Sequence, residues 1–426
     1  MDEDILSQGD DDREPSPWPR RLAVIATVAA VTACVVAYLA QPHHRQATSV
    51  ARPTPTAARP RPTPTLTPAV TINLPVEPDA IVGPTAPWAD GPRLPLAAAQ
   101  PAWFYPAAGR TERIGGLPAD PAGFEFTRVV GGWAIQARAV PAGQVKADES
   151  QAEAAQGIPY VRSVCGHCTG APRPVWFLAD RAQSATPVGA ANLVAPGVTA
   201  GAMWLTSYPS GANLDTAAGR AREVSGTGAT LAPPVRLPAG SVIDTATDRG
   251  LLLTPENLKP GTAVGRLWNP ASAAFGAAFN RVIAASATEI AWTSRCAPTV
   301  CRVEVLNLAT GRSTAIGLPA GDSAARAAFS PAGDLLALQL GYGGDGEQAT
   351  RLAVASVADG RVTPVPGTSV GSDTLGGFGW PADADRLVAE FNFVGAVQLA
   401  SWRPGAGRLA VSDVTSGRAQ ASLVVG

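Results

Sequence analysis

From Ala327 onward, short apolar runs alternate with turn-forming clusters along the chain. Ala327–Phe329 gives way to Ser330-Pro331-Ala332-Gly333-Asp334, and Leu335–Leu340 to a glycine-rich loop. Arg351–Val357 gives way to Ala358-Asp359-Gly360-Arg361, and Val362–Val365 closes the set. Runs this short, bounded by Pro, Gly and Asp, read as β-strands joined by hairpins. Together they make Arg326–Pro366 one small antiparallel sheet that cannot bury its own faces, so copies of it must stack.

The copies are visible on both sides. Downstream, Leu375–Val414 repeats the plan, with Trp380–Asp385 in the place of Ser330–Asp334 and Leu387–Phe391 in the place of the second strand. Upstream, Glu304–Arg312 superposes on Ala353–Arg361 without a gap, at an offset of about 49 residues. Leu237-Pro238-Ala239-Gly240 recurs at Leu318–Gly321 and, in part, at Leu117-Pro118-Ala119. A strand–hairpin unit with a period of roughly 40–50 residues predicts an all-β fold, a β-propeller.

Ala328-Phe329-Ser330-Pro331-Ala332-Gly333-Asp334-Leu335-Leu336-Ala337 resembles the blade turn of TolB-like and WD40-like propellers. It departs from that pattern at Ala332, where the family has Asp, and no Trp-Asp or Gly-His pair closes a blade. The resemblance therefore points to a degenerate, TolB-like propeller that works through partners. Dividing residues 76–426 by the period predicts seven four-stranded blades, with six or eight as alternatives.

The N-terminal pattern is different. Met1–Arg21 is polar and acidic, and Leu22–Ala40 is an uncharged apolar stretch long enough to cross a bilayer as one helix. It is expected to be an uncleaved anchor with residues 1–21 in the cytoplasm. The alternatives are a lipoprotein signal, because Val31-Thr32-Ala33-Cys34 is similar to a lipobox, and a cleaved secretory peptide ending near Val35-Val36-Ala37. All three put the chain beyond Gln41 outside the cytoplasm. Residues 41–75 alternate Pro and Thr, which favours extended polyproline II and predicts a stalk of up to roughly 100 Å. The alternatives for that segment are a Pro-rich docking site and O-glycosylated threonines.

Composition narrows the functional classes. Charged residues are 16% of the 426, the net charge is −1, and Lys146 and Lys259 are the only lysines. Without a basic field there is nothing to hold phosphate backbones, which excludes a nucleic-acid partner. The Ala, Gly, Pro and Arg usage is that of a GC-rich bacterial genome.

Five cysteines carry the remaining chemistry: Cys34 and the pairs Cys165/Cys168 and Cys296/Cys301. Cys165-Gly166-His167-Cys168 has the letters of a thioredoxin-type motif, whose low thiol pKa needs a helix N-terminus. Pro172 and Pro174 forbid that helix, and Val175–Leu178 reads as a strand. Cys296 and Cys301 lie between Glu289–Thr293 and Arg302–Leu306, an equivalent hairpin tip. We expect two local structural disulfides, Cys165–Cys168 and Cys296–Cys301, which persist only in an oxidising compartment and so agree with export. A redox-active Cys165/Cys168 and a metal site with His167 are the alternatives.

Other motifs read as loops. Gly341–Gly346 fits G-x-G-x-x-G and Gly367–Gly371 fits G-x-S-x-G, yet each needs a following helix, and a strand is predicted after the first. No histidine follows His167, which removes His from acid–base work in the repeats. The carboxylate pairs Asp244/Asp248, Asp383/Asp385 and Asp345/Glu347 sit in turns, and the tryptophans Trp133, Trp176, Trp204, Trp268, Trp292, Trp380 and Trp402 read as packing between sheets. The sequence predicts a membrane-anchored, single-pass protein of the cell envelope, binding a protein or glycan without catalytic, metal or cofactor residues. The alternative is an envelope enzyme using turn carboxylates or Cys165/Cys168.

Overall fold

The structure, a computed structural model, describes residues 81–414 apart from 98–99, 121–122, 139–170, 211, 215, 256–263, 295–301, 343–348, 372, 382–384 and 394–395, together with 422–423. Every described residue belongs to one compact unit, Asn73–Gly426. The predicted anchor, Leu22–Ala40, lies outside the described residues. Among the described residues no helix is long and apolar enough to cross a membrane.

Thirty strands fall into seven sheets among the described residues, antiparallel except for one added strand. Blade 2 runs in order through Phe124–Val129, Gly132–Ala137, Arg173–Ala179 and Thr186–Ala191. Blades 3, 4, 5 and 6 repeat this plan from first strands at Leu193–Pro196, Ser241–Thr247, Val282–Ala285 and Ser323–Phe329. Blade 7 starts at Leu375–Gly379. First strands abut one another between blades 2 and 3, 3 and 4, 5 and 6, and 6 and 7, which places them towards a common axis with the fourth strands outermost.

Blade 1 joins the two ends of the chain. Its second to fourth strands are Leu94–Ala97, Ala102–Tyr105 and Arg110–Arg113, and its axial strand is Ser422–Leu423, paired antiparallel to Leu96 and Ala97. Thr85–Pro87 adds a fifth strand, parallel, to the outside of blade 7. The ring is thus clasped twice, once on the axis and once on the rim. The expected propeller with seven blades is what the fold shows.

The described residues share no single core. Seven apolar clusters lie between neighbouring blades, and an eighth, small one lies in blade 3 around Tyr208 and Leu214. Between blades 6 and 7, Leu352 and Val354 meet Phe378, Phe391 and Trp402. Between blades 4 and 5, Leu252 and Phe279 meet Ile290 and Leu308. Alternation along each strand feeds both flanking clusters: Leu336, Leu338 and Leu340 face blade 5, while Ala337 faces blade 7. Six of the seven recurrent tryptophans are buried in these gaps and Trp292 is half-buried, so packing is the job they do.

The repeated phrases have structural counterparts. Leu237–Gly240 and Leu318–Gly321 are the connectors from an outer strand to the next axial strand. In both, the Pro carbonyl accepts from the residue three on (3.3 and 3.1 Å), across a glycine at φ 69° or 87°. That is a type II turn, which needs positive φ at its third position. Glu304–Arg312 and Ala353–Arg361 make the same hairpin: Asn307 N–H to Arg312 O and Ser356 N–H to Arg361 O, both 2.9 Å.

Candidate functional site

Axial strands decide what a ring of sheets offers to a ligand. Those described here hold four charged residues: Glu125, Arg128, Asp244 and Arg326. Arg128 pairs with Asp180 through both guanidinium nitrogens and lies 4.8 Å from the Trp133 ring centre. Glu125 lies 3.6 Å from Arg173, whose guanidinium also bonds Gln136 and the Asn192 carbonyl. These ties stitch blade 2 to itself and to blade 3.

Arg326 is held differently. Four successive axial strands carry a register shift against their second strands, at Ile243/Thr245, Val282/Ala284, Ala324/Arg326 and Leu375/Phe378. An extra residue there re-aims the side chain that follows, a device common beside functional sites. Ala324 faces blade 5, yet Arg326 pairs with Gln339 and turns to blade 7, where it donates to the Gly376 carbonyl at 3.2 Å. No carboxylate lies within ion-pair distance of Arg326 among the described residues. Burial lowers its pKa from the ordinary value, and a guanidinium that starts so high stays charged at neutral pH.

The surroundings are polar and tight. Gln339 is 8% exposed, and its Oε1 has no hydrogen-bond partner among the described residues. A Cβ on Gly376 would come within 2.5 Å of Asn392 Nδ2 and 2.9 Å of Glu390 Oε1, so both polar side chains crowd the backbone that Arg326 reaches. A guanidinium with five donors and one described acceptor can take a carboxylate or another anion in two-pronged fashion. It offers electrostatic binding and no nucleophile.

The sequence reading singled out other residues. Cys165, Cys168, Cys296 and Cys301 lie outside the described residues, as do His167, Asp345, Glu347 and Asp383. The flanking strands put both cysteine pairs between second and third strands, in blades 2 and 5, the equivalence their spacing implied. Asp385 is engaged by Arg386 at 3.1 Å and Arg403 at 2.9 Å. Asp248 occupies a hairpin whose N–H bonds the Ala287 carbonyl. Gly341–Gly346 leads into the strand Ala349–Ser356, and Gly367–Gly371 ends in the short strand Val370–Gly371, paired with Ala349 and Thr350, ahead of the strand Leu375–Gly379, so neither has the helix its chemistry requires. Thr368 inside the latter is buried and holds Leu352 N–H at 3.0 Å. Reading the sequence passed over Arg326, although a lone Arg within Ala324-Ala325-Arg326-Ala327-Ala328 was its signal.

The geometry defines the molecule as a seven-bladed β-propeller. Neither a protein-family model nor a curated protein sequence matches the chain. Among solved structures it is similar to a prolyl endopeptidase (12% identity, 76% of this chain and 46% of that one, TM-score 0.47). It is similar also to an acylaminoacyl peptidase (10% identity, 78% and 51%, TM-score 0.44). TolB from Acinetobacter baumannii matches at 10% identity over 64% of this chain and 62% of its own, with a TM-score of 0.35. The chain thus spans about half the length of the two peptidases. These likenesses go no further than the fold.

Proposed function

We propose that this protein is a non-catalytic binding module of the bacterial cell envelope, carried on a single N-terminal membrane helix and a Pro/Thr stalk. Its ligand is an acidic segment of a protein or glycan, met at the axial ends of blades 6 and 7. The observation that carries the proposal is Arg326: a bulge turns this cation towards blade 7, it bonds a backbone carbonyl, and no carboxylate balances it among the described residues. A partly desolvated charge without a counter-ion is costly to keep, and an anionic partner offsets that cost. The uncharged span Leu22–Ala40 supports the membrane assignment.

Photo-crosslinking in intact cells tests both halves. A crosslinking residue near the axial end of blade 6 in the full-length chain is expected to trap a partner. Arg326→Gln should lower that yield about tenfold or more, the factor expected for a lost charge-assisted hydrogen bond. An unchanged yield in Arg326→Gln would remove Arg326 from the reading. A membrane-impermeant label that fails to reach residues beyond Gln41 would remove the envelope.

A further inference from the structure

Strand residues alternate between the two gaps that flank a blade, and in the outer half of blade 3 that alternation gathers charge on one side. The third strand, Arg220–Val224, turns Arg220, Arg222 and Val224 towards blade 2 and Ala221 towards blade 4. Its register shows this directly: Arg222 lies opposite Leu205 and Val224 opposite Met203, both of which belong to the cluster between blades 2 and 3. Arg236, in the outer strand Val235–Arg236, stands directly opposite Arg220. Cβ atoms are about 5 Å apart in such a pair and about 7–8 Å apart on the diagonal from Arg236 to Arg222. Three guanidinium groups therefore share one face at the outer end of this gap.

Like charges set directly opposite one another destabilise a sheet. Elsewhere in the ring arginines are offset by carboxylates: Arg128 by Asp180, Arg173 by Glu125, Arg351 by Asp322 and Arg386 by Asp90. Among the described residues no carboxylate lies within ion-pair distance of Arg220, Arg222 or Arg236. Glu223, next in sequence, faces the other way, opposite Trp204 in the cluster shared with blade 4. Arg220 and Arg236 are exposed, and Arg222 is half-buried. The Arg222 guanidinium is laid against the outer strand of blade 2, where a Cβ on Gly189 would come within 2.6 Å of its Nη2. The missing side chain leaves the space that the guanidinium fills.

We infer that Arg220, Arg222 and Arg236 form a binding site for a tetrahedral oxyanion, the phosphate or sulfate group of an ester. The arrangement of the cations selects this chemistry. A carboxylate has two oxygens in one plane, and a single guanidinium satisfies both. Guanidinium groups converging from two strands suit an anion whose oxygens point in several directions, and a phosphate monoester adds a charge near −1.5 to −2 at pH 7. The spacings above fall within the roughly 8 Å screening length at physiological salt, so the three cations act on one anion together. With a net charge of −1 and no wider basic field, the chain holds a single group here and not a phosphate backbone. The site is on blade 3 and Arg326 is on blade 6, so neither reading depends on the other.

Calorimetric titration of the purified full-length chain in an uncharged detergent, with ionic strength held by chloride, tests the site. Inorganic phosphate and sulfate are expected to saturate with a dissociation constant on the order of 1 mM, and acetate to bind at least about tenfold more weakly. The tighter of phosphate and sulfate identifies the ester. Arg220→Gln and Arg236→Gln should each raise the constant about tenfold or more, the factor for a lost charge-assisted hydrogen bond. Arg312→Gln, at an exposed arginine of blade 5, should leave it unchanged. In chloride alone the Arg220→Gln and Arg236→Gln variants should melt no lower than the wild type, because each relieves the opposed pair, and this separates lost binding from lost fold. An absence of saturable phosphate binding up to roughly 20 mM overturns the inference. Acetate as tight as phosphate also overturns it, as do glutamine variants that bind like the wild type.

Discussion

Single residues hold the blade turns, and Ser330–Asp334 shows how. Ser330 Oγ donates to Asp334 Oδ1 at 2.7 Å and accepts from Leu335 N–H at 3.1 Å, while Gly333, at φ 73°, lets the chain reverse. The same glycine lies against blade 5: a Cβ there would come within 2.9 Å of Glu289 Oε2. That carboxylate is buried and accepts from Ser286 Oγ (2.8 Å), Thr288 Oγ1 (2.6 Å) and Asn307 Nδ2 (3.2 Å), so it has no room to move. Gly333→Ala is therefore expected to cost about 2–3 kcal/mol, left-handed backbone strain plus a displaced buried acid. Urea unfolding of the full-length protein measures it, and a loss below about 0.5 kcal/mol, the scatter of neutral surface changes, would show the contact to be slack. The sequence made the turn legible through Ser330, Pro331 and Gly333, but Glu289 lies more than 40 residues away on another blade and leaves no local mark.

Elements carry the periodicity, and their connectors show why some of it could be read. Leu117, Leu237 and Leu318 each plug the gap that follows a finished blade, at 8%, 1% and 6% exposure. They belong to the clusters between blades 1 and 2, 3 and 4, and 5 and 6. A recurring Leu-Pro-Ala-Gly was visible because one physical job, an apolar plug followed by a type II turn, needs the same residues each time. Leu237→Ala and Leu318→Ala should each cost about 2–5 kcal/mol in thermal or denaturant unfolding. Their separation in different gaps predicts additivity within about 0.5 kcal/mol in the double variant. Strong non-additivity would mean that the blades do not pack as independent neighbours. What stayed illegible was direction. Strict alternation from Ala324 would send Arg326 towards blade 5, and the bulge at Ala325 reverses it. A one-residue slip carries no compositional signature, so the candidate site emerged only with the register.

At the scale of the whole molecule, the ring has to be closed against its own tendency to open at the seam between blades 7 and 1. The axial clasp is Ser422–Leu423, and the rim clasp is the segment from Ile81 to Asp90. On the rim, Trp88 is buried between Leu94, Val388 and Leu399, and its backbone N–H donates to the Val411 carbonyl at 3.0 Å. Arg386, with an 8% exposed side chain, donates to the Asp90 carbonyl at 2.7 Å and lies 3.3 Å from its carboxylate. Hydrogen bonding and charge from Arg386, with help from Arg403, hold the Asp90 carboxyl below the usual range. A group whose folded pKa is depressed contributes stability above its unfolded pKa, near 4, and loses it as pH falls through the folded value. Asp90→Asn should therefore flatten the acid limb of the stability–pH curve below about pH 4 and leave its shape above pH 5 unchanged. Arg386→Gln should flatten the same limb while also loosening the backbone of Asp90, which hydrogen exchange at Trp88 N–H would report as faster opening. If the acid limb of Asp90→Asn superposes on that of the wild type, the rim clasp owes nothing to this carboxylate and rests on Trp88, the strand Thr85–Pro87 and the bond from Arg386 to the Asp90 carbonyl.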